Sequence, residues 1–276
     1  MPGNGRHAQI ADLCFRDRRP LTGDPLQALQ LLATTMQYRR GQEIYAPDDP
    51  ADYWYRMARG TARKCAVRAD GRRQIVDFLL PGDFFGLVNR HEHHFAVEAV
   101  TEGTVVTRYP RRRIERLADS DPEVGRQIRE VAFESIARSQ ARMLILGRMS
   151  ALERVGAFLI EMAERRRDGA PEQVVLSMSR YDIGDYLGLA AETVSRTLSD
   201  LRQGGAIRFE GTHRVRIVDR AALEEETGDG DWDRTGRRHR PADPFAALPA
   251  RSGHWGFESG ALRLPTKHEV RVFRRN

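Results

Sequence analysis

The stretch "DIGDYLGLAAETV", residues 182–194, constrains the fold more than any other part of the 276-residue chain. Two short helices that cross steeply need a small residue midway along the first helix and a glycine that opens the turn. Gly184 and Gly188 occupy these two places. The inward-facing positions around them are all apolar: Ile183, Leu187, Leu189 and Val194. This register predicts a helix-turn-helix rather than an ordinary helical hairpin.

The flanking segments extend this motif to a winged helix. Residues 150–167 form an amphipathic pattern with the period of an α-helix, and residues 173–178 read as a short strand. After a glycine pair, residues 206–220 read as a hairpin that turns at Gly211. We therefore predict a winged helix-turn-helix DNA-binding domain over residues 148–227.

The second helix of the motif has three polar residues near its start, on the side opposite its apolar residues. Glu192 can accept a hydrogen bond from a cytosine amino group, Arg196 can donate two to guanine, and Ser195 can contact either type of base. A Glu192–Arg196 surface ion pair, worth about 0.2–0.5 kcal/mol, also explains the spacing and is compatible with base reading. We predict phosphate contacts from Arg180, Thr193, Arg202, Arg208, His213, Arg214 and Arg216.

Residues 41–109 show a different sequence pattern, in which short apolar segments are separated by turn residues. The turn signals are Gly41, Gly60, Gly71, Gly82 and Gly103. Asp70-Gly71 is the strongest hairpin signal among them. The spacing predicts an all-β sandwich or barrel of roughly eight strands. Before it, residues 25–38 show the apolar spacing of a short amphipathic helix.

A long helix is predicted over residues 121–147, because no glycine or proline lies between Gly125 and Gly147. Its apolar seam steps by four, three and four residues, as in a coiled coil. We expect this seam to form a homodimer interface; the alternative is that the helix packs on its own barrel. The seam residues are Val124, Ile128, Val131 and Ser135.

The composition of the chain mainly excludes certain kinds of site and of protein. The net charge is +6, but ten basic and six acidic residues lie in 228–276, which we predict to be a disordered basic tail. The evidence for DNA binding is therefore the helix register and not the bulk charge. Cys14 and Cys65 lack the spacing of a metal site or a disulfide framework. Without a secretory start or a membrane-length apolar run, we expect a cytoplasmic protein with no membrane partner.

The segment "MSRYDIGDYLGLAAETVSRTLSDLRQGGAIRF", together with "PGDFFGL" and "ERVGAFL", resembles the CRP/FNR transcription regulators. The "ETVSR" piece resembles the FNR/FixK-like branch. The resemblance implies an α+β fold: an arm (1–24), a cyclic-nucleotide-binding-like β-roll, or jelly roll (25–120), a dimerisation helix (121–147) and the winged helix-turn-helix.

The resemblance also implies a function. Members of this branch are homodimeric regulators, not enzymes, that read palindromes of the TTGAT–N4–ATCAA type. Carried over by motif position, Glu192, Ser195 and Arg196 would read the bases. An activator role would add RNA polymerase as a partner to double-stranded DNA. Ala190 departs from the pattern, because branch members usually have threonine there, and its methyl group cannot cap the helix.

The β-roll differs from its cyclic-nucleotide-binding relatives. Leu87 stands where a glutamate would hold the ribose, and His94-Phe95-Ala96 replaces the arginine and serine that bind the phosphate, so cAMP binding is not expected. Two distant cysteines cannot supply the four ligands of an FNR-type iron–sulfur cluster, so no cofactor is predicted. Two alternatives stay open: a regulator gated by an unrecognised effector, and a cupin-like metal enzyme.

The metal alternative depends on His91, His93 and Glu98, which match the H-x-H-x4-E spacing of the first cupin motif. No second motif supplies a third histidine. We therefore predict no metal site and interpret "HEHH" as a solvated β-turn.

Overall fold

The computed structural model describes residues 33–67, 73–88, 91–165 and 172–225. The N-terminal arm, Cys14, the Asp70-Gly71 turn and the tail over 228–276 lie outside these ranges. Within them, the first part of the chain forms two four-stranded antiparallel sheets, as the turn spacing predicted. The first sheet has the order β1-β8-β3-β6 and the second the order β2-β7-β4-β5. The strands are β1 (Thr34–Tyr38), β2 (Glu43–Tyr45), β3 (Tyr53–Arg59), β4 (Ala62–Val67), β5 (Arg73–Leu79), β6 (Phe84–Phe85), β7 (Ala96–Ala99) and β8 (Thr104–Pro110).

The predicted helix over residues 25–38 is wrong at its C-terminal end. Thr34–Tyr38 form strand β1, which pairs with β8 from Thr34 opposite Arg108 to Tyr38 opposite Thr104. The local apolar spacing favoured a helix, but hydrogen bonds to β8, which is remote in the sequence, decide the conformation. Residues 25–32 of that segment lie outside the described ranges.

The two sheets enclose an aromatic core. Tyr45, Tyr55 and Phe85 pack with their ring centroids 5.2–6.1 Å apart. Four glycines at the predicted turns have positive φ angles, which other residues adopt only with strain: Gly41, Gly60, Gly82 and Gly103. At Gly60 a side chain is also excluded by space, since a Cβ would lie 2.6 Å from the Thr101 hydroxyl. The glycines that mark strand ends in the sequence therefore turn the chain between the sheets.

Two helices follow β8, where the sequence predicted one. Helix α1 (Arg111–Ser120) was not predicted, and Asp121 separates it from α2 (Pro122–Arg148). The Asp121 side chain accepts hydrogen bonds from the backbone amides of Glu123 and Val124, and Pro122 is the first residue of α2. An acceptor followed by proline is a strong helix start, because the first amides of a helix have no partner within it.

The predicted seam of α2 faces its own β-roll. Val124 is buried, and Ile128 and Val131 pack against a cluster that contains Tyr109 and Ile114. Ser135, the last seam residue, is half-buried. The seam is thus occupied by packing within the chain, which is the alternative that the sequence left open.

A second apolar stripe on α2 is exposed. Its members recur at helical spacing further along the helix and carry some of the most exposed large apolar side chains in the described ranges: Phe133, Ile136, Met143 and Leu144. Phe133 is 67% exposed and Met143 is 65% exposed. Such a stripe on a long helix is typical of a surface that another molecule covers.

The winged helix follows α2 in the predicted order. Its elements are α3 (Ala151–Glu164), β9 (Gln173–Val175), α4 (Arg180–Leu187), α5 (Ala191–Gln203), β10 (Ile207–Phe209), β11 (Arg214–Ile217) and the unpredicted α6 (Arg220–Glu225). The last strands form a sheet of order β10-β11-β9. Helix α3 begins with a capping box in which Ser150 and Glu153 satisfy each other's backbone amides.

The winged helix and the β-roll share one apolar core. Phe78 of β5 packs against Phe158 of α3 and Tyr186 of α4, with ring centroids 6.2 and 5.0 Å apart. The β-roll therefore contacts the helix-turn-helix directly. No helix among the described residues has the length and apolar character needed to cross a membrane.

Candidate nucleic-acid interface

The helix-turn-helix has the geometry that its sequence register requires. Gly188 ends α4 in the left-handed conformation, with φ 65° and ψ 38°, and its amide donates to the carbonyl of Gly184. The amide of Leu189 donates to the same carbonyl at 3.0 Å. Gly184 leaves room for this approach, because a Cβ there would lie 2.5 Å from the Leu189 carbonyl oxygen. The inward-facing residues Ile183 and Val194 are both buried, as predicted.

Helix α5 has a buried face and an exposed edge. Val194, Thr197, Leu198 and Leu201 are buried and hold the helix to the domain. Glu192, Ser195 and Arg196 are all exposed; we call these three residues the reading edge. As its methyl group implied, Ala190 makes no side-chain hydrogen bond at the helix start.

The Glu192–Arg196 surface ion pair, the alternative explanation of the spacing, is not formed. Within the described part of the chain, neither side chain has an ion-pair or hydrogen-bond partner. Ser195 donates its hydroxyl hydrogen to the carbonyl of Ala191 at 2.9 Å, so its oxygen still has acceptor capacity. The reading edge thus presents one carboxylate, one guanidinium and one hydroxyl to the solvent, all on the first two turns of α5.

The predicted phosphate-contact residues differ in their exposure and in their ion pairs. Four are exposed: Arg202, Arg208, His213 and Arg214. Arg216 is exposed too, but it pairs with Glu210 at 2.6 Å. Thr193 is half-buried.

Arg180 and His213 each have one face fixed by the protein. Arg180 is half-buried, with its guanidinium 5.8 Å from the ring centroid of Phe209, and burial lowers its pKa. His213 has its ring Nδ1 3.1 Å from the carbonyl oxygen of Leu176. These contacts orient both side chains at the rim of the domain.

Sequence reasoning missed two features at the start of α4. Ser179 and Asp182 form a capping box, a signal already visible in "SRYD". Tyr181, one residue after Arg180, is 69% exposed. The first helix of a helix-turn-helix crosses the DNA backbone, where a tyrosine hydroxyl can donate to phosphate. Only the exposure of Tyr181 marks it, because an aromatic residue in a helix is more often buried.

The histidine cluster does not converge on a metal site. His91 is exposed, Glu98 pairs with Arg63 at 2.6 Å, and His93 is buried against Tyr45 with ring centroids 3.8 Å apart. No cluster of metal-ligating side chains was found among the described residues. The prediction of a solvated turn needs correction at His93, which is 1% exposed because its ring completes the aromatic core.

In cyclic-nucleotide-binding relatives, certain residues of the β-roll contact the ligand. In this chain, the corresponding positions carry apolar or enclosed side chains. Leu87 packs beside the cluster of Phe84 and Tyr109, and Ala96 is buried in β7. Lys64, one of the two lysines in the chain, lies with its ammonium 4.7 Å from the ring centroid of Phe95. Burial lowers the pKa of Lys64 and raises that of the Cys65 thiol to about 11.

A β-roll joined by a long helix to a winged helix-turn-helix with an exposed reading edge defines a DNA-binding transcription regulator. The family models agree: a cyclic nucleotide-binding domain matches residues 35–121 and a Crp-like helix-turn-helix domain matches residues 153–226. The chain belongs to the CRP/FNR family, in its FixK-like branch, and is a regulator rather than an enzyme.

Named relatives place the chain within the family. It is 41% identical over 204 residues to the nitrogen fixation regulation protein FixK of Azorhizobium caulinodans, covering 72% of this chain and 81% of that protein. It is 32% identical to the transcriptional activator protein FnrL of Cereibacter sphaeroides, covering 81% and 90%. The solved structure of FixK2 from Bradyrhizobium japonicum has a TM-score of 0.67 and 40% identity, covering 72% and 99%.

Proposed function

We propose that the chain is a homodimeric, cytoplasmic transcription activator that reads a palindrome of the TTGAT–N4–ATCAA type. The observation that carries this proposal is the reading edge: Glu192, Ser195 and Arg196 are exposed on a helix whose opposite face is fully buried, and none of the three has an ion-pair partner among the described residues. In a helix-turn-helix, these first turns of the second helix enter the major groove.

The chemistry of the edge suits half-sites with mixed bases. Arg196 can donate two hydrogen bonds to the O6 and N7 atoms of guanine. Glu192 can accept from the amino group of cytosine, and the Ser195 hydroxyl can adapt to either neighbour. Residues 171–220 contain seven arginines and seven acidic residues, so a non-specific attraction to phosphate would be weak. The balanced charge favours selective binding over general DNA association.

Two-fold symmetry follows from the palindrome, because each half-site needs its own recognition helix. We place the dimer contact on the exposed stripe of α2, Phe133, Ile136, Met143 and Leu144, in place of the seam around Val124. Phe133, Ile136 and Met143 differ by three and seven residues, the spacing of a coiled-coil contact. Burial of these side chains in a dimer would remove a large apolar surface from water.

An activator must also contact RNA polymerase, and FnrL is named a transcriptional activator. We expect this contact on the exposed surface of the β-roll or the winged helix. We do not expect cAMP to control it, because Leu87 and Ala96 supply neither a ribose acceptor nor a phosphate donor.

The test is fluorescence anisotropy with a duplex that contains TTGAT–N4–ATCAA, with each position then replaced in turn. We expect the purified protein, without added ligand, to prefer this duplex over a scrambled one of the same composition. Each mismatched base pair within a half-site should cost about 1–3 kcal/mol, and changes in the N4 spacer should cost less. Equal affinity for the scrambled duplex would reject the proposed specificity. In vitro transcription from a promoter that bears the site tests the activator role separately.

A further inference from the structure

Helix α4, the first helix of the helix-turn-helix, is held at both ends by arginines from outside that motif. At its start, Arg63 of β4 and Arg73 of β5 pair with Asp182 and Asp185. At its end, Arg142 of α2 and Arg154 of α3 donate to backbone carbonyls of Tyr186 and Leu187. We call these two sets of contacts the start clamp and the end clamp.

The start clamp is tight and is most enclosed at Asp182. Arg63 Nη1 lies 2.7 Å from Asp182 Oδ1, and Arg73 Nη2 lies 2.9 Å from the same oxygen and 3.1 Å from Asp185 Oδ2. The Asp182 side chain is 7% exposed. Glu98 accepts two further hydrogen bonds from Arg63 and so orients it. Enclosed pairs of this kind are costly to break on one side, because the remaining charge then lacks a partner.

Asp182 also caps the start of α4. Its Oδ2 atom accepts hydrogen bonds from the Ser179 amide at 3.1 Å and from the Ser179 hydroxyl at 2.8 Å. Burial raises the pKa of Asp182, but these hydrogen bonds and the charges of Arg63 and Arg73 outweigh burial and leave the pKa below its ordinary value. The start of α4 and its attachment to the β-roll therefore use the same ionised carboxylate.

The end clamp ties α4 to the long helix. The Arg142 guanidinium donates to the Tyr186 carbonyl at 2.7 Å, lies 3.8 Å from the Tyr186 ring centroid and also donates to the carbonyls of Ile75 and Val76 in β5. Arg154 donates to the Leu187 carbonyl at 3.0 Å and to carbonyls at the end of α2. Cations at the carboxyl end of a helix also stabilise its dipole.

While both clamps hold α4, the reading edge of α5 stays exposed to solvent. The clamps contact α4, whereas the side chains of the reading edge on α5 are exposed and take part in neither clamp. Helix α5 follows α4 through a turn whose backbones touch at Gly184, so fixing α4 also fixes α5. Two recognition helices bind two half-sites more tightly when their spacing is set in advance, because no ordering cost then opposes binding.

We infer that Arg63, Arg73, Asp182 and Asp185 are positioning residues that hold the winged helix against the β-roll in its DNA-reading orientation. Permanent ion pairs of the chain would then do what a bound effector would otherwise have to do. The inference rests on the proposed function for its DNA probe. It predicts that loss of the start clamp lowers DNA affinity without changing which base is preferred.

The experiment uses the full-length protein and the palindromic duplex at one fixed salt concentration. Arg73→Gln removes the clamp from the β-roll side, where it leaves the helix-turn-helix sequence intact. Asp182→Asn removes the charge and keeps an acceptor for Ser179. We expect each variant to bind about tenfold more weakly, with an unchanged ratio between the palindrome and a mismatched duplex. Arg112→Gln, at an exposed position of α1, is the matched control for the lost positive charge and should bind like wild type.

A charge exchange separates positioning from a general loss of structure. Arg73→Glu alone should weaken binding. Addition of Asp185→Arg should restore part of the lost affinity, because the pair between positions 73 and 185 is formed again with opposite signs, whereas the pair with Asp182 stays lost. Thermal unfolding checks that each variant is folded. Unchanged affinity in Arg73→Gln and Asp182→Asn, tighter binding in either, or no rescue by the exchange would overturn the inference. If wild type does not prefer the palindrome, the proposed specificity fails instead, and the clamp variants are then compared on non-specific duplex.

Discussion

The backbone at Gly184 lies so close to the carbonyl oxygen of Leu189 that a Cβ there would be only 2.5 Å away from it. The same two residues are also joined by a hydrogen bond, because the Leu189 amide donates to the Gly184 carbonyl at 3.0 Å. Helix α4 and the turn thus cross with backbone against backbone. A backbone contact cannot move aside as the end of a flexible side chain can. The orientation of the reading edge depends on this contact.

Gly184→Val should therefore destabilise the winged helix by about 1–3 kcal/mol, the range for overpacking a close contact. The loss should appear as a lower urea midpoint and as weaker DNA binding. Gly204→Val is the control, because Gly204 is exposed, has φ −69° and would place a Cβ 3.4 Å from its nearest neighbour. The control should change the free energy of unfolding by no more than about 0.5 kcal/mol. Equal stability of the two variants would contradict the close contact.

Arg196→Ala should reduce affinity by about 1–3 kcal/mol, and the loss should be concentrated at one guanine of each half-site. The reason is that Arg196 is exposed on the reading edge and has no ion-pair partner in the part of the chain that the structure describes. Arg202→Ala removes an exposed arginine near the end of the same helix and should weaken all duplexes alike. Anisotropy titrations with wild-type and guanine-substituted duplexes distinguish the two patterns. A uniform loss in Arg196→Ala would assign that residue to phosphate.

Ile136→Asp should convert the protein to a monomer, because it places a charge in the exposed stripe of α2 that we assign to the dimer. Sedimentation velocity over a range of protein concentrations measures this change. Met36→Asp is the control, since Met36 is also an exposed apolar residue, 37% accessible, but lies on strand β1. The assignment fails if Ile136→Asp sediments as wild type does.

The local features of this fold could be predicted from the sequence, and the choices made by distant packing could not. The Gly184–Gly188 register and the hairpin at Gly211 are fixed within a few residues, and the structure confirms both. Strand β1 was predicted as a helix, because its spacing is ambiguous and its partner β8 is remote.

The same limit applies to α2 and to the histidine cluster. Helix α2 carries two apolar stripes, and the sequence does not tell which of them the β-roll covers. Val131 packs inward while Phe133 is 67% exposed, although both are good interface residues. His93 was predicted to be solvated because its neighbours are polar, yet its ring is enclosed by Tyr45. Neither burial pattern is encoded in local spacing.

The enclosure of His93 has a consequence for the pH dependence of stability. Burial lowers the pKa of His93 below its ordinary value of 6.5. The nearby basic groups Lys64, Arg111 and His94 also lower the pKa of His93, and Asp49 opposes them. Protonation is therefore easier in the unfolded chain than in the folded one. The contribution of His93 to stability is complete above pH 6.5 and is lost as the pH falls through that value towards the lower folded-state pKa.

His93→Phe should remove this dependence, because phenylalanine preserves the stacking on Tyr45 and carries no proton. Between about pH 7 and pH 5, the wild-type free energy of unfolding should fall faster than that of the variant, by at most about 1.4 kcal/mol per pH unit. Urea midpoints across this range provide the measurement. His91→Phe, at an exposed position of the same segment, should retain the wild-type slope. If His93→Phe keeps that slope as well, the imidazole is not the group that loses stability on protonation, and the aromatic core tolerates a charged His93.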